Sequence, residues 1–465
     1  MNMPIKLYNT FSRKLEEFKS IEKDKVRMYN CGPTVYDYVH IGNFRTYLMA
    51  DFLRRMFEYS GYEVKQIKNI TDVGHLTQDD IEAGEDKMLK AAKREKKSPY
   101  DIARFYEKSF HEDETKLNIL PAFNFPRATE YIPQMIEMIK KLIEKGFAYE
   151  VKGSVYYDVD KFADYGKLSG NTLENLKIGA RLEAHPDKKN PYDFALWLKA
   201  DPDHLMQWDS PWSRGYPGWH IECSAMSSSN LGETIDVHTG GEDNVFPHHE
   251  DEIAQSEGAS GKKFVNYWIH GRHLLVDGEK MSKSKGNFYP ISEFEKRKID
   301  PISFRYLCLT THFTSQLNFT WKSLEAGQNA LNKMIEFMGS DENKGEQEEG
   351  YVISEFDDKF RESLENNLDT PKALATAWEM IRSKDYSACD KKETLLKFDR
   401  FFGFNLKNIK TVSTEIPENI QKLSGERLEA RKNKDWKRSD ELRDLIEKKG
   451  FSIKDTKDGQ IIKKK

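Results

Sequence analysis

The stretch KVRMYNCGPTVYDYVHIGNFRTYLMADFLRRMFEYSGYEVKQIKNI, residues 25–70, decides the fold. Its first six residues alternate toward β-favouring types, and a loop carrying Gly32, Pro33 and Gly42 follows. Phe44, Leu48, Phe52 and Met56 then recur every four residues, with Met49 and Leu53 widening the stripe, which predicts a helix closing near Gly61. Residues 63–70 supply the next strand. Strand, helix and strand within 46 residues form a βαβ unit, and such units build parallel sheets that bind ligands at the carboxyl ends of their strands.

Working outward, residues 84–97 are charged and helix-compatible, and RATEYIPQMIEMIKKLIEKGFAY gives an amphipathic helix closed by Gly146. GSVYYDV and YGKLSG read as hairpin strands and turns. Strand patterns return in ETIDVH, FVNYWIH and HLLVDGEK, so the α/β domain is split by an insertion. Past Pro301 the pattern is helical, broken by the acidic, core-free segment GSDENKGEQEEG at 339–350, which reads as a linker. The tail reads as two helices, the second from about Asp435 to Gly450, and a strand pair turned at Asp458-Gly459; so small a unit needs to dock on something. The fold expected is a Rossmann-like parallel-sheet domain with an insertion, an α-helical bundle and a small mixed α/β C-terminal domain. The expected boundaries are 1–115 and 206–290 for the halves of the sheet domain and 116–205 for the insertion. A helical stem-contact region at 291–338, the bundle at 351–410 and the terminal domain at 415–465 complete the series.

With 465 residues, a lone small binding module is excluded; 38% hydrophobic and 12% aromatic residues suffice for real cores and argue against disorder throughout. No apolar run reaches the roughly 20 residues a bilayer needs, and the first residues lack a secretory apolar core, so a cytoplasmic protein without membrane contact is expected. Four cysteines, at 31, 223, 308 and 389, are too few and scattered to staple the chain and default to reduced thiols. The net charge of −4 conceals a division: residues 421–465 hold 15 Lys or Arg against 9 Asp or Glu, an excess of +6, leaving −10 on residues 1–420. A basic tail on an acidic body is suited to holding one end of a polyanion, although a solvated helix face is the ordinary alternative.

Three patterns carry chemistry. HIGN, residues 40–43, lies between the first strand and its helix, where unpaired N–H groups and the helix dipole favour phosphate and an imidazole can donate as charge develops. KMSKS, residues 280–284, with KGN after it, places Lys280, Lys283 and Lys285 on a loop able to clamp a reacting triphosphate. The third pattern is metal ligation. Cys31 ends the first strand, Cys223 lies in WHIECSAM, and PHHEDE puts Pro247 at a helix start with His248 and Glu252 at i, i+4 on one face. Two thiolates, an imidazole and a carboxylate make a tetrahedral zinc set; by spacing alone His249 could replace His248. A cysteine taken singly is more often core filler, the reading given to Cys308 and Cys389.

Together CGPTVYDYVHIGN, NITDVGH, PGWHIECSAM, DVHTGGEDNVFPHHEDEIAQSE, KMSKSKGN and the tail ERLEARKNKDWKRSDELRDLIEKKG resemble the class I aminoacyl-tRNA synthetases, most closely the cysteinyl family, over nearly the whole chain. The resemblance implies ATP-dependent ligation of L-cysteine to its cognate tRNA through cysteinyl-adenylate, with Mg2+ accompanying ATP and Zn2+ recognising the substrate thiolate. It implies Cys31, Cys223, His248 and Glu252 as metal ligands, so that His248 rather than His249 is chosen. It places His40 and Asn43 at the ATP phosphates, Lys280 and Lys283 at the leaving pyrophosphate, Gly241 and Asp243 at the ribose, and Thr71, Trp219 and His238 in the cysteine pocket. The basic tail becomes the grip on the anticodon arm, with Trp436 either stacking on a base or packing between the tail helices. A monomer is the expected state.

Two departures stand out. Asn43 occupies a position where the class commonly has histidine; an amide donates a hydrogen bond but carries no proton. NITDVGHLTQDD lacks the acidic continuation of many relatives, leaving His75 without a role. Zinc answers a selectivity problem, since an apolar pocket rejects an exchanged hydroxyl by only about 10²-fold, whereas a thiophilic metal separates thiol from hydroxyl directly. Four protein ligands already fill a tetrahedron, so the substrate adds as a fifth or displaces one, with Glu252 the candidate to yield. A related ligase joining cysteine to an amino sugar shares these motifs but needs no such tail; a zinc-stabilised RNA-binding protein without catalysis would not need His40, Lys280 or Lys283.

Overall fold

The computed structural model describes residues 4–74, 76–78, 83–171, 186–282, 285–340, 349–408, 417–456 and 459–464. The chain divides into two compact units, Met1–Lys407 and Asn408–Lys465. At the centre of the first is a four-stranded sheet in which Val265–Gly271, Ile235–Gly241, Lys25–Asn30 and Glu63–Lys68 lie side by side in that order, all parallel. The two inner strands are distant in sequence, and the chain runs outward from each in opposite directions. Their carboxyl ends therefore flank a topological switch point, where open α/β sheets leave a crevice. Helices cover the sheet, so its strands are nearly continuous in burial; every residue of Ile235–Gly241 is buried.

The first helix, Ile41–Tyr59, is capped by His40, whose ring accepts from the Asn43 N–H, and it ends at Ser60 beside Gly61. Gly32 is required by space: a Cβ there would stand 1.7 Å from the Asn69 carbonyl oxygen, so only glycine lets the loop after the first strand lie against the loop after the second.

The insertion contributes the helix Ile132–Glu144 and a five-stranded antiparallel sheet ordered Trp208–Asp209, Arg214–Pro217, Phe194–Lys199, Ser154–Tyr157 and Ala148–Val151. Gly215 and Tyr216 pair with Lys199 and Leu198, so this sheet continues past residue 205, the expected end of the insertion. Tyr157, Phe194 and Trp197 from it share one apolar cluster with Tyr29, Cys223 and Trp268 around the parallel sheet. The insertion is thus built onto the floor of the site.

Helices Ile302–Leu309, Trp321–Gly339, Ser354–Glu365, Thr370–Arg382 and Ala388–Phe402 complete this unit. They are tied to the sheet domain through buried Asp51, which meets Arg305 at 2.5 Å and Arg55 at 2.8 Å, while Arg305 also donates to the Phe402 carbonyl. The proposed linker at 339–350 falls largely outside the described residues.

The second unit comprises helices Glu418–Lys432 and Trp436–Lys448 and an antiparallel pair, Phe451–Thr456 with Gly459–Lys464, around Ile420, Ile446 and Phe451. Buried Arg427 pairs with Asp455 at 2.8 Å. Of the expected turn at Asp458-Gly459, Asp458 lies outside the described residues, and Gly459 opens the second strand.

Candidate metal and substrate site

Cys31 leaves the carboxyl end of its strand with its N–H on the Thr239 carbonyl of the neighbouring strand, at 3.3 Å. Cys223 sits on the helix Trp219–Leu231 and Glu252 in the first turn of the helix Glu250–Ser260. The regular helix begins at Glu250 rather than at Pro247; residues Val245–His249 form a kinked turn before it. His248 and Glu252 nevertheless meet, Nε2 to Oε1 at 3.1 Å. One ligand atom from each of Cys31, Cys223, His248 and Glu252 falls within a 4.8 Å span. A tetrahedral zinc with bonds of about 2.0–2.3 Å needs donor separations of roughly 3.3–3.8 Å, which small side-chain adjustments reach from here.

A second set, Cys31, His238, His249 and Glu252, meets the same distance limit. The sets differ in chemistry: the first has two thiols and suits a thiophilic metal, the second has one. His249 Nε2 lies 3.2 Å from the Cys31 sulfur, and its Nδ1 lies 2.7 Å from His270. The electrostatics separate the two histidines. Burial alone would depress His248, but Cys223 and Glu252 beside it push it up to about 10. Burial, reinforced by His238 and His270, holds His249 well below the ordinary imidazole value. Burial would raise Glu252, yet His238 and His248 bring it down to about 2. The hydrogen bond between the two thiols lowers Cys223 and raises Cys31. The site therefore gathers two thiols, an imidazole and a carboxylate held in its ionised form, and these donors fit zinc.

The pocket residues fall around this cluster. Thr71 follows the second strand and donates to buried Glu222 at 2.8 Å. The Trp219 ring packs on His248, with centroids 4.6 Å apart. His238 is fully buried, stacks on Trp268, and places Nε2 2.9 Å from the Glu252 oxygen that does not face His248. Its Nδ1 has no hydrogen-bond partner among the described residues.

HIGN and the lysine loop come together. The Ile41 N–H donates to the Tyr289 carbonyl, His40 bridges Pro290, and its ring packs edge-on against Phe288. A Cβ on Gly42 would touch Met281 of KMSKS at 3.4 Å. Lys280 is exposed at the end of a short strand, and Lys285 pairs with Glu279. Lys283 lies outside the described residues, as does His75. Gly241 ends the Ile235–Gly241 strand with its N–H on the Asn244 side chain, and Asp243 is exposed beside it.

Sequence reading missed the layer behind the ligands. His220 Nδ1 lies 2.7 Å from His248 Nδ1, and His220 Nε2 lies 3.3 Å from Asp251. The spacing of His220 and Cys223, three apart on one helix, was a usable signal. Tyr165, whose hydroxyl donates to Asp251 at 2.5 Å, had none, because tertiary folding alone brings it there.

Residues 17–329 match the family described as tRNA synthetases class I (C) catalytic domain, and residues 413–462 match the cysteinyl-tRNA ligase anticodon binding domain. A methionyl-tRNA synthetase of Mycobacterium tuberculosis, solved with methionyl-adenylate, shares the fold at a TM-score of 0.55 and 13% identity, over 82% of this chain and 90% of that one. Fold and catalytic-domain match together define a class I aminoacyl-tRNA synthetase. Curated relatives run the full length: cysteine–tRNA ligase 1 of Burkholderia lata is 43% identical over 98% of this chain and 96% of its own. The cysteine–tRNA ligases of Chlorobaculum tepidum and Treponema denticola are each 42% identical, covering 99% and 97% of this chain and 99% and 98% of theirs. The chain belongs to the cysteine–tRNA ligase family.

Proposed function

We propose that the protein ligates L-cysteine to its cognate tRNA with ATP, through cysteinyl-adenylate, and that it selects cysteine with zinc held by Cys31, Cys223, His248 and Glu252. The observation that carries this reading is the convergence of those four side chains, from three separate stretches of chain, at the switch point of the parallel sheet. When bound, zinc supplies a coordination position that favours a thiolate over the harder, less acidic hydroxyl of serine. Glu252 has His238 as a second partner for its other oxygen, which makes it the ligand best able to loosen. His238 offers its Nδ1, which has no hydrogen-bond partner among the described residues, and Thr71 and Trp219 wall the pocket.

ATP, with Mg2+, would lie across the carboxyl ends toward HIGN. His40, fixed as helix cap through Nδ1, would donate from its ring to a phosphate oxygen as charge develops there. Asn43 contributes its N–H to that cap, so its position is held by the backbone whatever its side chain donates. Lys280 and Lys283 neutralise the departing pyrophosphate, and Gly241 with Asp243 receives the ribose. Cysteine's carboxylate attacks the α-phosphate; a terminal tRNA hydroxyl then attacks the acyl carbon and releases AMP. The basic C-terminal unit takes the anticodon arm. Among the described residues no helix is long and apolar enough to cross a membrane.

The test is cysteine-dependent ATP–pyrophosphate exchange with serine as competitor, before and after metal removal. Exchange with cysteine that disappears with zinc and returns on its addition is expected. Equal use of serine by the zinc-loaded enzyme would falsify the selectivity role.

A further inference from the structure

We infer that Tyr165, Asp251 and His220 form a directed hydrogen-bond chain that fixes His248 in the tautomer able to ligate, so that the antiparallel insertion helps determine how tightly the metal is held. The inference rests on the metal-site reading above. It starts from two ring nitrogens, His248 Nδ1 and His220 Nδ1, 2.7 Å apart. A His248 that ligates through Nε2 keeps its one proton on Nδ1, so the 2.7 Å contact requires His220 Nδ1 to accept, and the partner on the far side of His220 decides whether it can.

That partner is Asp251. His220 Nε2 lies 3.3 Å from one carboxylate oxygen, and the Tyr165 hydroxyl donates to the other. An ionised carboxylate only accepts, so the proton of His220 belongs on Nε2. Its Nδ1 is then an acceptor, and His248 must donate from its own Nδ1. The lone pair of His248 is thereby left on Nε2, the atom that faces Glu252 and belongs to the ligand cluster. Tyr165, Asp251 and His220 are 6%, 1% and 5% exposed, so water does not readily substitute for any link.

The neighbouring histidine lacks such direction. His249 leads to His270 and then to the Thr10 hydroxyl, a group that donates or accepts equally well, so nothing in that chain fixes which nitrogen of His249 is protonated. The contrast supplies a physical reason for His248, rather than His249, to be the ligand. Tyr165 belongs to the turns of the insertion and packs near Phe194 of its antiparallel sheet, so the chain joins the insertion to the metal position. These three are positioning residues, since they act through His248.

The experiment uses the full-length chain and two readouts besides activity: zinc retention against a competing chelator, and the visible spectrum of the cobalt-substituted protein. Asp251→Asn removes the charge that fixes the order of donors and is expected to loosen zinc roughly 10–100-fold and shift the cobalt bands. Tyr165→Phe keeps the ring and the core; it is expected to loosen zinc in the same direction by less, and the double variant to be no weaker than Asp251→Asn alone, as members of one chain must be. Should Asp251→Asn fail to fold, Tyr165→Phe decides. Unchanged zinc affinity and cobalt spectrum in the folded variants, with zinc bound by the parent, would overturn the chain while leaving the metal reading intact. A parent protein that binds no zinc overturns both.

Discussion

His248 and His249 are adjacent in sequence and both buried, yet they face different company. His248 sees the Cys223 thiol, the near oxygen of Glu252 and a carboxylate-ended relay, while His249 sees the Cys31 sulfur, other imidazoles and the same Glu252 oxygen only at 3.9 Å. His248→Ala is therefore expected to abolish tight zinc binding, by more than the roughly 100-fold that an outer-shell change costs, whereas His249→Ala retains the metal; equilibrium zinc titration of both variants checks this. Glu252 makes a pH prediction for the metal-free protein. Its folded value of about 2 lies below the ordinary carboxyl value, so it contributes stability above pH 4–5 that is lost as pH falls through about 2. In Glu252→Gln that portion of the acid sensitivity disappears, measurable by urea denaturation across the range. The ligand residues were readable because their types are rare and chemically pointed. Their backing was less so: His220 carries a signal in its spacing from Cys223, whereas Asp251 and Tyr165 are ordinary residues until three elements converge.

At the scale of elements, the helix Ile41–Tyr59 carries the HIGN cap at one end and Asp51 along its buried side. Burial would raise the Asp51 carboxyl, but Arg305 and Arg55 hold it at about 2. The sign follows directly: the ion pairs contribute stability above about pH 4, lost as pH falls through 2, a difference of about 2 kcal/mol. Asp51→Ala leaves two buried guanidinium groups uncompensated and is expected to destabilise the fold by about 3–5 kcal/mol at neutral pH, read by urea denaturation. The strands at 25–30 and 63–68 and the helix between them were legible because apolar period and loop residues agree. The region 84–97 was less so: Ala83–Asp86 is a strand, and Asp86 caps the helix Lys87–Glu95 that follows. A polar strand paired with a local partner leaves little alternation to detect. The late strands Trp208–Asp209 and Arg214–Pro217 were missed for a related reason, being two and four residues long and rich in turn-forming types.

Across the whole molecule, the division into a catalytic unit and a basic terminal unit was legible in the charge balance and in the core-poor stretches between them. Trp436 opens its helix at 56% exposure with the Arg431 guanidinium 5.5 Å from its ring, an arrangement that presents an aromatic face rather than a core residue. Trp436→Ala is expected to weaken tRNA binding by about 1–3 kcal/mol while leaving pyrophosphate exchange unchanged; filter binding and exchange assays on the same preparation separate the two effects. The parallel sheet has a consequence for how the protein is made. Its inner strands, Lys25–Asn30 and Ile235–Gly241, pair directly although the second is translated long after the first. At ribosomal speeds of about 5–20 residues per second, the amino-terminal edge waits roughly 10–40 s for its neighbour. Throughout that interval a nascent chain lacks the neighbour that covers this apolar strand and the Cys31 thiol at its end, the state in which a strand edge is most open to mispairing.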